Sequence, residues 1–185
     1  DLDFYDKAQN ALLNEKFMLI GDFEESNFKK NNPSIVNFSR FLISSDGNIK
    51  STIFHLKIGD ASFKTIEYLT EFINGTILLT SNNILSTKIE YPNKIIFLFH
   101  ETDSPEVLLI MHQSEIQKYV DKKDFEIQKI NNIDEIIDQK KRIKKIENHF
   151  RQTITKDDIL KELSRLCVGI KNVQTLSRIA DRIIE

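Results

Sequence analysis

The sequence predicts an α+β protein: an antiparallel sheet or partly closed barrel of about seven strands, with an N-terminal helix and a covering helix, followed by a C-terminal three-helix extension. Three observations lead there. Apolar side chains recur at every second position through much of the chain before Glu101 and at every third or fourth position beyond it. Two residue pairs, Asp46-Gly47 and Asn74-Gly75, interrupt β-rich runs in the manner of hairpins. Beyond Asn131 no β-rich run occurs at all. These shifts divide the chain into an α+β domain, 1–130, and a helical extension, 131–185.

Phe4, Ala8, Ala11 and Leu12 share one side of a helix predicted over 3–15, and Phe17 to Phe23 follows as a strand. The polar stretch 26–34 reads as a surface loop. Ile35 to Ser44 and Ile49 to Ile58 form a hairpin around Ser45-Asp46-Gly47-Asn48; Phe63 to Phe72 and Thr76 to Ser81 form another around Asn74-Gly75. Both glycine pairs suit type I′ turns, which need positive φ at two central residues. In 65–72, Ile66, Tyr68, Thr70 and Phe72 alternate with Thr65, Glu67, Leu69 and Glu71, the period of a sheet with one wetter face. Lys88 to Glu90 reads as a short edge strand and the apolar run Ile95 to Phe99 as a central one.

Ser104 as N-cap, Pro105 at the first helical position and Glu106 near the positive helix end predict a helix to about Val120. Its sheet-facing side is Leu109, His112, Ile116 and Val120, widened by Leu108 and Met111. Three further helices are expected. The first, 133–150, carries Ile133, Ile136, Ile137, Ile143, Ile146 and Phe150; the second, 156–167, begins at a capping box of Thr155 and Asp158. The third runs from Asn172 to the end. Each apolar stripe needs a partner, within the fold or on another chain.

Composition bounds the function. With 26 Lys and Arg against 28 Asp and Glu, the formal charge of -2 excludes a generally basic nucleic-acid binder. The single cysteine, Cys167, cannot form an internal disulfide and fits a reducing compartment. No run approaches the roughly 18 to 20 apolar residues of a bilayer-spanning helix, so a cytoplasmic location is expected. A start at Asp1 rather than Met leaves an upstream signal or anchor open.

Chemistry-bearing motifs are few. With 5 glycines in the chain, neither a Rossmann fingerprint nor a P-loop can be written. No Gly-x-Ser-x-Gly elbow surrounds a serine, and Cys167 has no histidine near it in sequence. His100, Glu101, Asp103 and His112 have the side-chain types for a transition metal but lie at no metal-motif spacing. The competing reading makes them a polar strand-to-helix turn and a packed histidine. Asp22, Glu24 and Glu25 form an acidic patch after the first strand that could hold Mg²⁺ or act as acid and base; an exposed strand end is the simpler account. No cofactor is expected.

The strongest charge feature is Lys140, Lys141, Arg142, Lys144 and Lys145. Residues 131–185 hold 12 basic and 9 acidic residues, a net +3 that leaves -5 for the remainder. A solvated helix face with Lys stems over apolar surface accounts for the run; contact with nucleic acid or an anionic membrane is the alternative.

The block Thr70-Glu71-Phe72-Ile73-Asn74-Gly75-Thr76-Ile77-Leu78-Leu79-Thr80-Ser81-Asn82 resembles the central hairpin of an uncharacterised bacterial domain family with a Thr-x-Phe-x-Asn/Asp-Gly-x-x-Leu-x-Thr pattern. Gly21-Asp22-Phe23, Asp46-Gly47 and Ser104 to His112 stand around it in a similar order, over about residues 4–120 of the chain. The resemblance implies a fold order and no activity. Because members carry hydrophobic segments ahead of such a domain, it also implies the cytosolic part of a membrane-tethered protein.

Together these readings favour a non-enzymatic binding or assembly module whose helical tail packs on a protein partner or a second copy. The alternatives are a metal-assisted hydrolase using Asp22, Glu24 or His100, and a binder of nucleic acid or anionic lipid through the basic run.

Overall fold

A computed structural model describes residues 2–24, 38–58, 61–83, 95–121, 125–153, 155, 157 and 158. The chain divides into two compact units, Asp1–Asp138 and Gln139–Glu185. The described elements are α1 (Leu2–Asn14), β1 (Phe17–Glu24), β2 (Phe38–Ser44), β3 (Lys50–Ile58), β4 (Ala61–Glu71), β5 (Ile77–Ser81), β6 (Ile95–Phe99), α2 (Pro105–Val120) and α3 (Ile133–Thr153). The fold is α+β. The expected loop at 26–34, the strand at 88–90, the helix at 156–167 apart from Asp157 and Asp158, and the last helix lie outside the described residues.

The six described strands stand in sequence order in one open sheet. β1 to β5 pair antiparallel as a meander, but β6 runs parallel to β5, with Ile77 opposite Ile95 and Ser81 opposite Phe99. The sheet is therefore mixed, neither wholly antiparallel nor closed into a barrel, and β6 stands last among the described strands. Of its five apolar residues Ile95 is buried and the other four are half-buried, with Ile96 and Leu98 packed against the helix-covered core. The expected wet face of β4 is likewise covered, since Thr65, Leu69 and Glu71 are buried beside Ile66, Tyr68 and Thr70 on the other face.

Both hairpin turns differ from the primed type. The N–H of Gly47 donates to the Ser44 carbonyl and that of Gly75 to the Phe72 carbonyl, each over 2.8 Å. Gly47 and Gly75 have φ of 76° and 80°, while Asp46 and Asn74 keep negative φ. The loops thus hold four and three residues, each with a turn closed by one left-handed glycine. In the first loop the Asp46 carboxylate accepts from Ser44 Oγ and from the Asn48 backbone and side chain, and Ser44 Oγ accepts the Ile49 N–H. Burial alone would raise the Asp46 pKa; these hydrogen bonds outweigh it and hold the carboxyl below its ordinary value.

Lys16, at φ 63°, ends α1 and turns the chain into β1; its carbonyl accepts the Ser45 N–H. One face of the sheet presents Leu42, Ile53, Ile66, Tyr68 and Leu78, which pack with Tyr5, Ala8 and Leu12 of α1 and Leu108, Leu109 and Ile116 of α2. Each such aliphatic side chain contributes about 1.5–3 kcal/mol by leaving water. On the opposite face, Phe41 and Ile43 pack with Ile130 and Ile136, joined by Ile20, Phe23 and Ile133. Segment 125–130 bonds to both hairpin ends: Ile73 donates to Glu126, Gln128 to Glu71 and Ile130 to Gly47.

The predicted caps are present. Ser104 Oγ accepts the Val107 N–H, with Pro105 and Glu106 in the first turn of α2. Thr155 and Asp158 make the reciprocal capping-box bonds. At the start of α3 Asn132 Oδ1 accepts the Glu135 N–H, while the Glu135 carboxylate accepts from the Asn131 N–H and the Asn132 side-chain amide. The stripes need three corrections. Tyr5 joins the buried side of α1; Met111 and Val120 are exposed on α2; and Ile137 is exposed on α3, because it lies well round the helix from Ile136. The side chain of Phe150 is outside the described residues.

Candidate functional site

The residues singled out by sequence do not converge. His112 is fully buried on the core side of α2, flanked by the central strands. Its Nε2 lies 3.0 Å from Thr70 Oγ1 and its Nδ1 lies 2.8 Å from Thr80 Oγ1. The Thr70 hydroxyl donates its one proton to the Asn48 carbonyl over 3.0 Å, so it can only accept from Nε2–H. The imidazole is therefore the neutral Nε2–H tautomer, and Thr80 donates to Nδ1. Desolvation lowers the His112 pKa to about 3. This is a scaffold histidine that ties α2 to β4, β5 and the first hairpin loop.

Asp22 is also committed. On the helix-covered face, Arg40 grips it through Nε and Nη2 at 2.7 and 2.9 Å and reaches Asp6 of α1 at 3.2 Å. The hydrogen bonds that the Asp22 carboxylate accepts lead the causes that raise the Arg40 pKa. A bulge between Leu19 and Gly21 in β1 sets Asp22 on this face opposite Arg40. Glu24 ends β1, exposed.

His100, half-buried, follows β6 and donates its backbone N–H to Ser81. Glu101 and Asp103 are exposed in the turn to α2. Asp103 lines a groove of about 400 Å³ between α1 and the start of α2, with Phe4, Ala8 and Ala11 on one wall, Pro105 and Glu106 on another, and Ile66 and Asn82 below. Lys7 is paired with Asp3 at its rim, and Lys64 places its ammonium 5.8 Å from the Phe4 ring centre. The α2 N-terminus at this groove is capped by Ser104, whose hydroxyl donates to Glu106. Among the described residues no three His, Cys, Asp or Glu side chains gather as a metal would require.

Lys140, Lys141, Arg142, Lys144 and Lys145 are all exposed on α3, while Ile136 and Gln139 are buried and Ile143 and Ile146 half-buried. The basic run is thus one continuous outer surface. Among the described residues no helix is long and apolar enough to cross a membrane.

Sequence reasoning missed Thr70, Thr80 and Asn48 as partners of His112, and Arg40 as the partner of Asp22. The signal was present for the threonines: both hold inward positions of strands whose other inward residues are apolar. No family model, curated protein or solved structure matches the chain.

Proposed function

We propose that the chain is a non-enzymatic binding or assembly module, recognised by another protein chain or a second copy of itself. The observation that carries this reading is that α2 is apolar on two opposite sides. Leu108, Leu109, His112 and Ile116 are buried in the core, while Val107, Ile110 and Met111 are 42%, 64% and 37% exposed on the outer side. Spacing of three and four residues groups these three side chains into one surface ridge. Such a ridge gains free energy only when something covers it. Asp22 held by Arg40 and His112 held neutral between two threonines fit the same reading, because both groups serve the scaffold.

Light scattering of the full chain across a concentration series tests the second-copy form. A mass rising above 21.6 kDa that returns to the monomer value in Ile110→Glu supports it. A constant monomer mass in both proteins leaves a different protein chain as the only assembly partner. A mass that rises equally in both removes the α2 ridge as the contact.

A further inference from the structure

We infer that the outer ridge of α2 docks a basic amphipathic segment of another protein, one whose apolar side chains lie between lysines or arginines. This deepens the assembly reading and rests on it. Val107, Ile110 and Met111 occupy an arc of about 100° on the side of α2 away from the buried Leu108, Leu109, His112 and Ile116. Glu106 and Glu115 stand on the two flanks of the ridge, at roughly 100° and 80° from Val107. Glu101 and Asp103 precede the helix and Asp121 ends it, all three exposed. The ridge is therefore bordered by carboxylates at both ends and along both sides.

That border decides the charge of the partner. From Glu101 to Asp121 the chain carries five acidic residues and one basic, Lys118, a net of -4. Lys118 is already paired with Glu115, whereas Glu101 and Asp103 make no ion pair among the described residues. The positive end of the helix dipole offsets only about half a charge. Of the two lysines in the groove beside Asp103, Lys7 is paired with Asp3, and Lys64 counted in full still leaves the surface acidic. Packing α2 on α2 of a second copy, in either direction, sets one net-acidic segment against another, and like charges brought together disfavour a partner. An anionic membrane is repelled in the same way. A basic amphipathic segment covers the apolar ridge and neutralises its border at once. Three apolar side chains form a small contact, well below the roughly 1,200 Å² at which standard interfaces begin, so the complex is transient and sensitive to salt.

The test is fluorescence anisotropy of a labelled amphipathic peptide of leucine and lysine, and of a leucine–glutamate peptide of the same pattern, each titrated with the full chain. The lysine peptide should bind, more weakly as salt rises, and the glutamate peptide should not. Ile110→Ser should weaken binding at least about tenfold, and Glu101→Gln with Asp103→Asn about three- to tenfold. A charge-matched control, Glu15→Gln with Asp134→Asn, should leave it unchanged. The thermal melt by circular dichroism reports folding; if Ile110→Ser melts early, Met111→Ser replaces it. The inference is overturned if the glutamate peptide binds as well as the lysine peptide, if the control loses as much as the Glu101 and Asp103 variant, or if the ridge variant binds the lysine peptide unchanged. A chain that takes neither peptide but self-associates through Ile110 overturns the inference and leaves the assembly reading in its second-copy form. A chain that takes neither peptide and stays monomeric removes the ridge as an assembly surface as well.

Discussion

The Thr80 hydroxyl donates to Nδ1 of His112 across 2.8 Å in a fully buried site. Protonating the ring would force both imidazole nitrogens to donate and would place a charge in the core between two strands and a helix. The folded chain therefore resists the proton that the unfolded chain accepts. The folded pKa, about 3, lies below the ordinary 6.5, so the unfolded state binds more protons between those values. Stability from this group is complete above pH 6.5 and declines as pH falls toward 3, by about 1.4 kcal/mol per pH unit. Urea unfolding at pH 7.5 and 5.0 should show a loss of about 2 kcal/mol that is absent in His112→Leu. Equal losses in both proteins would place the pH dependence elsewhere.

Gly47 serves two contacts that no other residue can combine. Its φ is 76°, and a Cβ there would stand 2.8 Å from the Ile130 carbonyl oxygen, while its own carbonyl accepts the Ile130 N–H over 2.9 Å. Gly47→Ala must therefore adopt a disfavoured backbone and push the 125–130 segment off the hairpin. A cost of about 2–4 kcal/mol is expected from strain and the lost bond together. The denaturation midpoint measures it, and faster exchange of the Ile130 amide would locate it.

How much of this was legible depended on whether a feature is local. Ser104, Pro105 and Glu106 specify the start of α2 through bonds and charges within one turn, so the helix began where sequence placed it. Asp46-Gly47 and Asn74-Gly75 marked two chain reversals, but turn type depends on which carbonyl each glycine N–H reaches, and the wider loops need only one left-handed residue. The direction of β6 was illegible because the run Ile95 to Phe99 has the same apolar pattern read either way. Met111 and Val120 were assigned to the core side from periodicity, which shows that α2 has apolar residues around its circumference without showing which of them the sheet takes. In the candidate site, the type of His112 was visible; its tautomer is set by threonines 42 and 32 residues away and its neutrality by burial.

Tyr5 shows the same non-locality in a backbone. The β2–β3 ladder pairs Ser39 with Phe54, which would make Phe38 and His55 the next rung. The Tyr5 hydroxyl occupies that rung, accepting the His55 N–H at 2.8 Å and donating to the Phe38 carbonyl at 2.9 Å, with its ring stacked 4.3 Å from Phe38. Burial leads the causes that raise the Tyr5 pKa. Tyr5→Phe keeps the stack and removes both bonds, for an expected loss of about 1–3 kcal/mol. Hydrogen exchange should show the His55 amide losing protection ahead of its neighbours in β3.

Ser51 supplies the opposite expectation. It is fully buried, pairs with Tyr68 across the ladder, and its hydroxyl meets no hydrogen-bond partner among the described residues. Folding strips water from that hydroxyl without a return, so Ser51→Ala should be neutral or stabilising, by up to about 1 kcal/mol. Thr80→Val, at an equally buried position two strands away, deprives His112 Nδ1 of its donor and should cost about 1–3 kcal/mol. Both substitutions remove one hydroxyl from the same sheet face, Ser51→Ala leaving a hydrogen in its place and Thr80→Val a methyl group, so the main contrast is the partner that each hydroxyl does or does not have. Parallel urea titrations would measure the pair; a Ser51→Ala loss as large as that of Thr80→Val would mean that the Ser51 hydroxyl has a partner after all.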